Sequence, residues 1–197
     1  MNLYSLILIS FISSSIPWSL ILGYVFSKKD IREVGDNNPG GTNALKLSGI
    51  KVGLIAIFLD ISKAFFPIYI ALKNDFEGIG LFLICVSAIT GSIFSPFLKF
   101  KGGKSLSVTC GLWLAISSGI IGPLICIMMA FSHLIQKTHF WTIMFGWLGI
   151  LIWVLLFSFE IEYLFIYLFN FLLVMYKHKK EFDQKIIFRN WVRLKKA

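Results

Sequence analysis

Cysteine is scarce in this chain of 197 residues: Cys85, Cys110 and Cys126 are odd in number, widely spaced and set inside apolar runs. They form neither a disulfide framework nor a metal-binding spacing, and are expected to be buried, reduced packing residues. No cluster of His, Cys and carboxylates has metal-ligand spacing, and His133 and His139 are isolated enough to suit packing or interfacial positions. A Gly-x-Ser-x-Gly elbow is missing, which leaves an ordinary serine-hydrolase mechanism without support. Heptad repeats, low-complexity tracts and a separate soluble stretch are missing too. The segment Met1–Ser5 has no basic n-region, and the first apolar run continues through Ile16 and Pro17 to Gly23 without a small-residue cleavage site. A retained span is therefore expected there, not a cleaved signal.

Charged residues make up only 15% of the chain, against 57% hydrophobic ones and a mean hydropathy of +0.79. A soluble domain of this size could not bury so much apolar surface, so the composition is that of an integral membrane protein. The formal net charge is +9, yet its distribution argues against nucleic acid. Apolar segments lie near Leu3–Phe26, Val52–Leu72, Gly78–Leu98, Leu106–Ile121, Pro123–Ile135, Phe140–Phe159 and Ile161–Tyr176. Read as seven spans, they put Ser27–Lys51, Lys99–Lys104, Gln136–His139 and the tail Lys177–Ala197 on one face. Those segments hold 5, 3, 1 and 8 basic residues, 17 of the chain's 19. Merging the fourth and fifth segments would put the basic tail opposite the other basic loops, against the positive-inside rule. The expectation is an all-α integral membrane protein of about seven transmembrane helices, N-terminus out and C-terminus cytoplasmic. It would have one multi-pass domain over residues 1–176 and a basic amphipathic tail over 177–197. Lys and Arg alternate in that tail with Phe182, Ile186, Phe188 and Trp191, as in an interfacial helix attracted to anionic lipid. Its role is either an anchor or a part of the active site.

Two glycine-rich cationic loops, Asp30–Lys46 and Phe97–Ser105, sit between the apolar runs. Glycine lets backbone N–H groups turn towards a ligand and nearby cations supply charge, so both read as phosphate cradles. In the second, Lys99, Lys101 and Lys104 flank Gly102 and Gly103, and a helix starting near Ser105 would aim its N-terminal N–H groups at an anion. The alternative is a basic turn flanking a span; the spacing is not that of a nucleotide P-loop. In the first, Arg32 offers a bidentate fork for phosphate. Asn37, Asn38, Thr42 and Asn43 suit polyol hydroxyls, and Gly35, Gly40 and Gly41 allow a tight fold. Asp60 and Lys63 interrupt an apolar span three residues apart, as either a structural ion pair or a catalytic one. Ser13, Ser14 and Ser15 before Pro17 mark either a kink near the active face or small-residue packing.

Taken in order, Ser15 with Pro17, Asp30 with Arg32, Gly35, Asn38, Gly40, Thr42 with Asn43, Asp60 with Lys63, Phe97–Lys104 and His178 resemble one family along nearly the whole chain. It is the bacterial acyl-phosphate:glycerol-3-phosphate 1-acyltransferases, small multi-pass membrane enzymes. The resemblance implies a seven-helix fold and an active site at the cytoplasmic face of the bacterial inner membrane. It implies transfer of an acyl group from acyl phosphate to glycerol 3-phosphate, giving lysophosphatidate and phosphate, with no metal or other cofactor. The mechanism it implies is substrate-assisted, the protein positioning two phosphorylated substrates while substrate phosphate helps remove the hydroxyl proton. Catalytic roles fall by analogy on Ser15, Arg32, Lys104 and His178. Lys104 with Gly102 and Gly103 would hold acyl phosphate with Ser15 nearby, Arg32, Asn38, Thr42, Asn43 and Lys46 would line the glycerol phosphate side, and Gly40 and Lys101 are further substrate-binding positions. His178 would close the site from the tail.

The chain departs from that family's pattern at several positions. Asp36, Asn37 and Asn38 stand where the family has Ser-Gly-Asn, Gly41 where it has Ala, Ser92 where it has His, and Ser105 where it has Gly. Lys46 replaces an arginine, Lys137 is kept, Phe140 stands at a serine position and Glu181 at an asparagine. Added negative charge at Asp36 and Glu181 predicts either altered activity or a local rearrangement that compensates. The alternative to the acyltransferase is a diverged, non-enzymatic membrane relative that binds a phospholipid or phosphorylated ligand. A small-solute transporter ranks below both, because the polar clusters gather at one face and not at mid-membrane.

Overall fold

The computed structural model describes residues 1–158 and 160–189. Packing divides the chain into two compact units, Met1–Ile116 and the part from Ser117 onward. Each of the seven apolar segments carries at least one helix. Four stretches are long and apolar enough to cross a membrane: Leu3–Ser27, Ile50–Lys73, Gly78–Leu98 and His139–Phe157. Leu106–Ile116 and Ile121–Ile135 are shorter apolar helices.

The first unit begins with α1 (Leu3–Ser15) and α2 (Trp18–Ser27), one apolar stretch broken at Ile16 and Pro17. Proline has no N–H and pushes the residue before it out of the helical region; Ile16 is accordingly extended. A 3-10 turn (Ile31–Glu33) and α3 (Gly41–Ser48) lead to α4 (Ile50–Lys73), then α5 (Gly78–Ile93), a second 3-10 turn (Pro96–Leu98) and α6 (Leu106–Ile116). α1 packs on α5, and α4 packs on both α3 and α6. Small residues let these backbones approach closely: a Cβ at Gly91 would collide with Phe11 O of α1, and one at Gly111 with Ile61 O of α4.

Two prolines in this unit free backbone groups that neighbours then satisfy. Pro67 lies inside α4 and cannot donate to the Lys63 carbonyl one turn earlier. Ser13 Oγ, at 2.8 Å, and Ser14 Oγ, at 3.4 Å, donate to that carbonyl instead. At the Pro17 break, Lys63 Nζ donates to Ile16 O at 2.9 Å, and Ser95 Oγ to Ser15 O at 2.6 Å. Lys63 Nζ also pairs with Asp60 Oδ1 at 2.9 Å, both side chains under 10% exposed. Ser19 Oγ of α2 donates to the other Asp60 oxygen. The two alternatives for Ser13–Ser15 thus meet: there is a break, and two of the three hydroxyls tie it to α4.

In the second unit, α7 (Ile121–Ile135), α8 (His139–Phe157) and α9 (Ile161–His178) follow a turn in which Ser118 and Gly119 have positive φ. That turn separates the fourth and fifth apolar segments, and α7 packs against α8. Buried Gln136 holds the α7–α8 corner, its Nε2 donating to Ser132 Oγ at 3.0 Å and Thr142 Oγ1 at 2.9 Å. Beyond a 3-10 turn (Lys179–Glu181), residues 184–189 have no regular secondary structure except a lone antiparallel bridge between Phe188 and Gln136. An amphipathic helix through this part of the tail is therefore not found. Lys137 N–H donates to Ile187 O and Arg189 N–H to Ile135 O, and strand-like pairing takes up these backbone groups. Trp191 and the rest of the tail lie outside the described residues. None of the cysteines forms a disulfide and only Cys85 is buried; Cys110 is half-buried and Cys126 exposed on α7, so the expectation of three buried thiols is corrected.

The buried pair gives a stability test. Lys63→Met leaves a buried carboxylate without its cation and should cost about 3–5 kcal/mol, whereas Asp60→Leu combined with Lys63→Met should cost much less. Unfolding of the detergent-solubilised protein checks this; equal losses in the single and double variants would mean that the pair is not coupled.

Candidate functional site

The first glycine loop is folded by its own side chains. Asn43 is 2% exposed, and its Nδ2 donates to Asn38 O and to Asp36 Oδ1, each at 2.9 Å. That clamp turns the loop over the start of α3. Asn37, at φ 60°, and Gly35, at φ 65°, take the left-handed conformation the turn requires.

The second loop is shaped differently from the sequence expectation. Its positive φ values fall on Lys99 (51°), Phe100 (61°) and Ser105 (62°), not on the two glycines. Gly102 is needed for space: a Cβ there would collide with the Ser92 carbonyl oxygen, since the loop folds back over the end of α5. Its N–H donates to Ile93 O at 3.0 Å.

Asp36 and Lys104 join the two loops. Lys104 Nζ lies 2.7 Å from Asp36 Oδ2, with the lysine side chain 14% exposed and the aspartate 47%. The Lys104 N–H donates to Asn38 Oδ1 at 3.1 Å. Burial raises the Asp36 carboxyl, but the hydrogen bond and charge of Lys104, helped by Asn43 and the Asn38 N–H, outweigh it and hold the group below its ordinary value. The added charge at Asp36 is thus paired with Lys104.

Beneath the link lies a cavity of about 220 Å³. From the first loop, Asn38, Gly40, Gly41 and Thr42 line it, and from the second Gly103, Lys104 and Ser105. Ser15 and Pro17 border it at the break in the first span, Asp60 and Lys63 on α4, and Ser92 and Ser95 at the end of α5. The α3 and α6 N-termini both open onto it. Apart from the Asn43 N–H, which donates to Gly40 O at 3.0 Å, the first-turn N–H groups have no acceptor within the helix by rule and carry the positive end of its dipole, so the cavity is suited to anions.

Of the predicted residues, Ser15, Asn38, Gly40, Thr42, Gly103 and Lys104 come together here. Ser15 Oγ donates to Phe11 O at 2.7 Å. Arg32 is not at the cavity: its guanidinium is held by Asp30 of the same turn, Nε lying 3.0 Å from each oxygen. The bond to Asp30 raises the guanidinium pKa, and in turn the bond from Arg32 lowers that of the carboxyl. Asn43 lies behind the loop as its clamp, Gly102 supports the backbone, and Lys46 and Lys101 are exposed outside the lining. His178 belongs to the second unit, where it is buried, lies 2.8 Å from Val174 O through Nδ1 and packs against Phe140. Sequence reasoning passed over Ser95 and Ser107, single serines in apolar stretches, and did not foresee Asp36 as the partner of Lys104. The carboxylate and lysine are 68 positions apart, and only their opposite charge signalled a pairing.

The model of the glycerol-3-phosphate acyltransferase family matches residues 4–187. Glycerol-3-phosphate acyltransferase 1 of Thermotoga maritima is 32% identical over 194 residues, covering 90% of this chain and 95% of its own length. The glycerol-3-phosphate acyltransferase of Pelagibacter ubique is 33% identical over 87% of each chain. That of Leptospira borgpetersenii is 37% identical over 71% of this chain, a match that spans only 63% of the relative's length. The fold is similar to that of PlsY (YgiH), an integral membrane glycerol 3-phosphate acyltransferase, in its glycerol 3-phosphate form. The TM-score is 0.81 at 23% identity, covering 91% of this chain and 89% of that one. The lysophosphatidic acid form gives a TM-score of 0.77.

The link between the loops has a pH signature. Asp36→Asn should cost no more than about 1 kcal/mol, because the pair is partly exposed. A carboxyl held below its ordinary value stabilises the fold above that value and loses the effect as pH falls from about 4. The acid-induced drop in unfolding midpoint should thus be smaller in Asp36→Asn than in the parent; equal drops would remove Asp36 from the link.

Proposed function

The chain belongs to the glycerol-3-phosphate acyltransferase family, and from that premise we propose that it transfers an acyl group from acyl phosphate to the 1-hydroxyl of glycerol 3-phosphate. The products are lysophosphatidate and phosphate, an early step of phospholipid synthesis. The observation that carries this reading is the convergence of both glycine loops and two helix N-termini on one cavity with Lys104 at its edge.

The glycerol hydroxyl oxygen attacks the acyl carbonyl carbon; the new ester C–O bond forms as the bond from that carbon to the phosphate oxygen breaks. The hydroxyl proton passes to phosphate, so the protein need not supply a nucleophile. What the chain contributes is position and charge: helix N-termini and Lys104 meet the negative charge that grows on the departing phosphate. For Lys104 to do so, substrate phosphate has to share or replace the Asp36 carboxylate. Asn38, Gly40 and Thr42 provide donors and close backbone approach for the polyol phosphate. Parts for Arg32, Lys46, Lys101 and His178 rest on the resemblance alone.

Seven spans with the N-terminus out, a multi-pass domain over residues 1–176 and a cytoplasmic basic tail complete the proposal. Support comes from the 17 of 19 basic residues that this topology gathers on one face. It sets the active site at the cytoplasmic face of a bacterial inner membrane.

The test is conversion of labelled glycerol 3-phosphate into lysophosphatidate by purified protein in lipid, with palmitoyl phosphate as donor and acyl-CoA as control. Product should depend on the acyl phosphate, and Lys104→Ala should lower turnover about 100-fold or more while the protein still inserts and folds. A folded parent protein inactive with either donor would overturn the reading and favour a non-enzymatic relative that binds a phosphorylated ligand.

A further inference from the structure

Ser105 is the residue just before α6, and three of its properties conflict with a purely structural part. Its φ is 62°, a conformation unfavourable for any residue with a Cβ. Its backbone carbonyl accepts the Thr109 N–H at 2.8 Å, so it occupies the capping position of the helix. Serine at that position ordinarily turns its hydroxyl back onto the first-turn N–H groups, yet here Oγ has no hydrogen-bond partner among the described residues. The residue is only 6% exposed, and it lines the cavity. Leu106, Ser107 and Val108, whose N–H groups lie in the uncapped first turn, line the same cavity. A buried hydroxyl without a partner is costly, and a strained backbone persists where something else is gained from it.

The geometry points to Ser105 as a substrate-binding residue: its hydroxyl donates to a phosphoryl oxygen seated at the N-terminus of α6 beside Lys104. The positive φ is what turns the hydroxyl away from its own helix and into the cavity. Strain and ligand are thus two sides of one choice, in which this chain gives up helix capping for a donor to the phosphoryl group. This rests on the reading that the cavity receives phosphorylated substrates, and either substrate could bring the phosphoryl group.

Ser105→Gly and Ser105→Ala separate binding from folding. Glycine relieves the strain and should raise Tm by about 2–4 °C; alanine keeps the strain and should leave Tm close to that of the parent. Both remove the hydroxyl, so both should weaken binding of inorganic phosphate to the purified protein about tenfold, and raise KM for one substrate to a similar extent. A rise for palmitoyl phosphate assigns the donor's phosphate to Ser105, and a rise for glycerol 3-phosphate assigns the acceptor's. Phosphate affinity unchanged in both variants would overturn the proposal, as would an affinity that simply follows Tm. If the parent protein has no turnover but both variants lose phosphate affinity, the acyltransferase reading falls and the role of Ser105 stands.

Discussion

In an apolar helical segment no water is at hand to complete the hydrogen bonds that proline removes, and the first unit is organised around that constraint. Pro67 frees the Lys63 carbonyl, which Ser13 and Ser14 fill. Pro17 breaks the first span, and the side chain of that same Lys63 reaches Ile16 O at the break. The exchange is reciprocal: α1 completes α4, and α4 completes the junction of α1 and α2. Asp60 supplies the counter-charge and ties in α2 through Ser19.

The cavity follows from this arrangement. Its inner wall is the break, with Ser15 and Pro17, and the buried pair on α4. Over it fold two loops that depend on each other: Asn38 accepts the Lys104 N–H, and Asp36 receives the Lys104 side chain. The loops need not be rigid separately, because the second completes the first. Such a frame suits the proposed reaction, in which both substrates bring phosphate and the donor is already activated, so that the protein would supply alignment and compensation of charge.

Three cations have a carboxylate partner close by: Asp30 holds Arg32, Asp36 holds Lys104 and Asp60 holds Lys63, so part of the charge of the two basic loops is offset by carboxylates of the first. Asp36 would deter an anionic ligand if it were unpaired. Paired with Lys104, it holds the lysine at the mouth of the cavity. Arg32 has a different position: with Asp30 two residues before it, its fork is taken up by that carboxylate.

The sequence by itself determined the membrane class, the seven apolar segments and the two glycine loops, because hydropathy, proline, glycine and charge act locally and leave their mark in composition and spacing. It showed that Asp60 and Lys63 could pair, since three residues on a helix bring side chains together. Only the tertiary structure decided which polar residues share a cavity. Asn38 and Lys104 meet because α3 and α6 both pack on α4, a relation between distant segments that no local pattern records. It also decided that Gly102 supplies room while Ser105 carries the positive φ, for the same dipeptide of glycines can either turn a chain or make space for a neighbouring carbonyl. The non-helical course of the tail to Arg189 was equally hidden: its alternation of basic and apolar residues suits a helix or a strand, and what forms is a single bridge to Gln136.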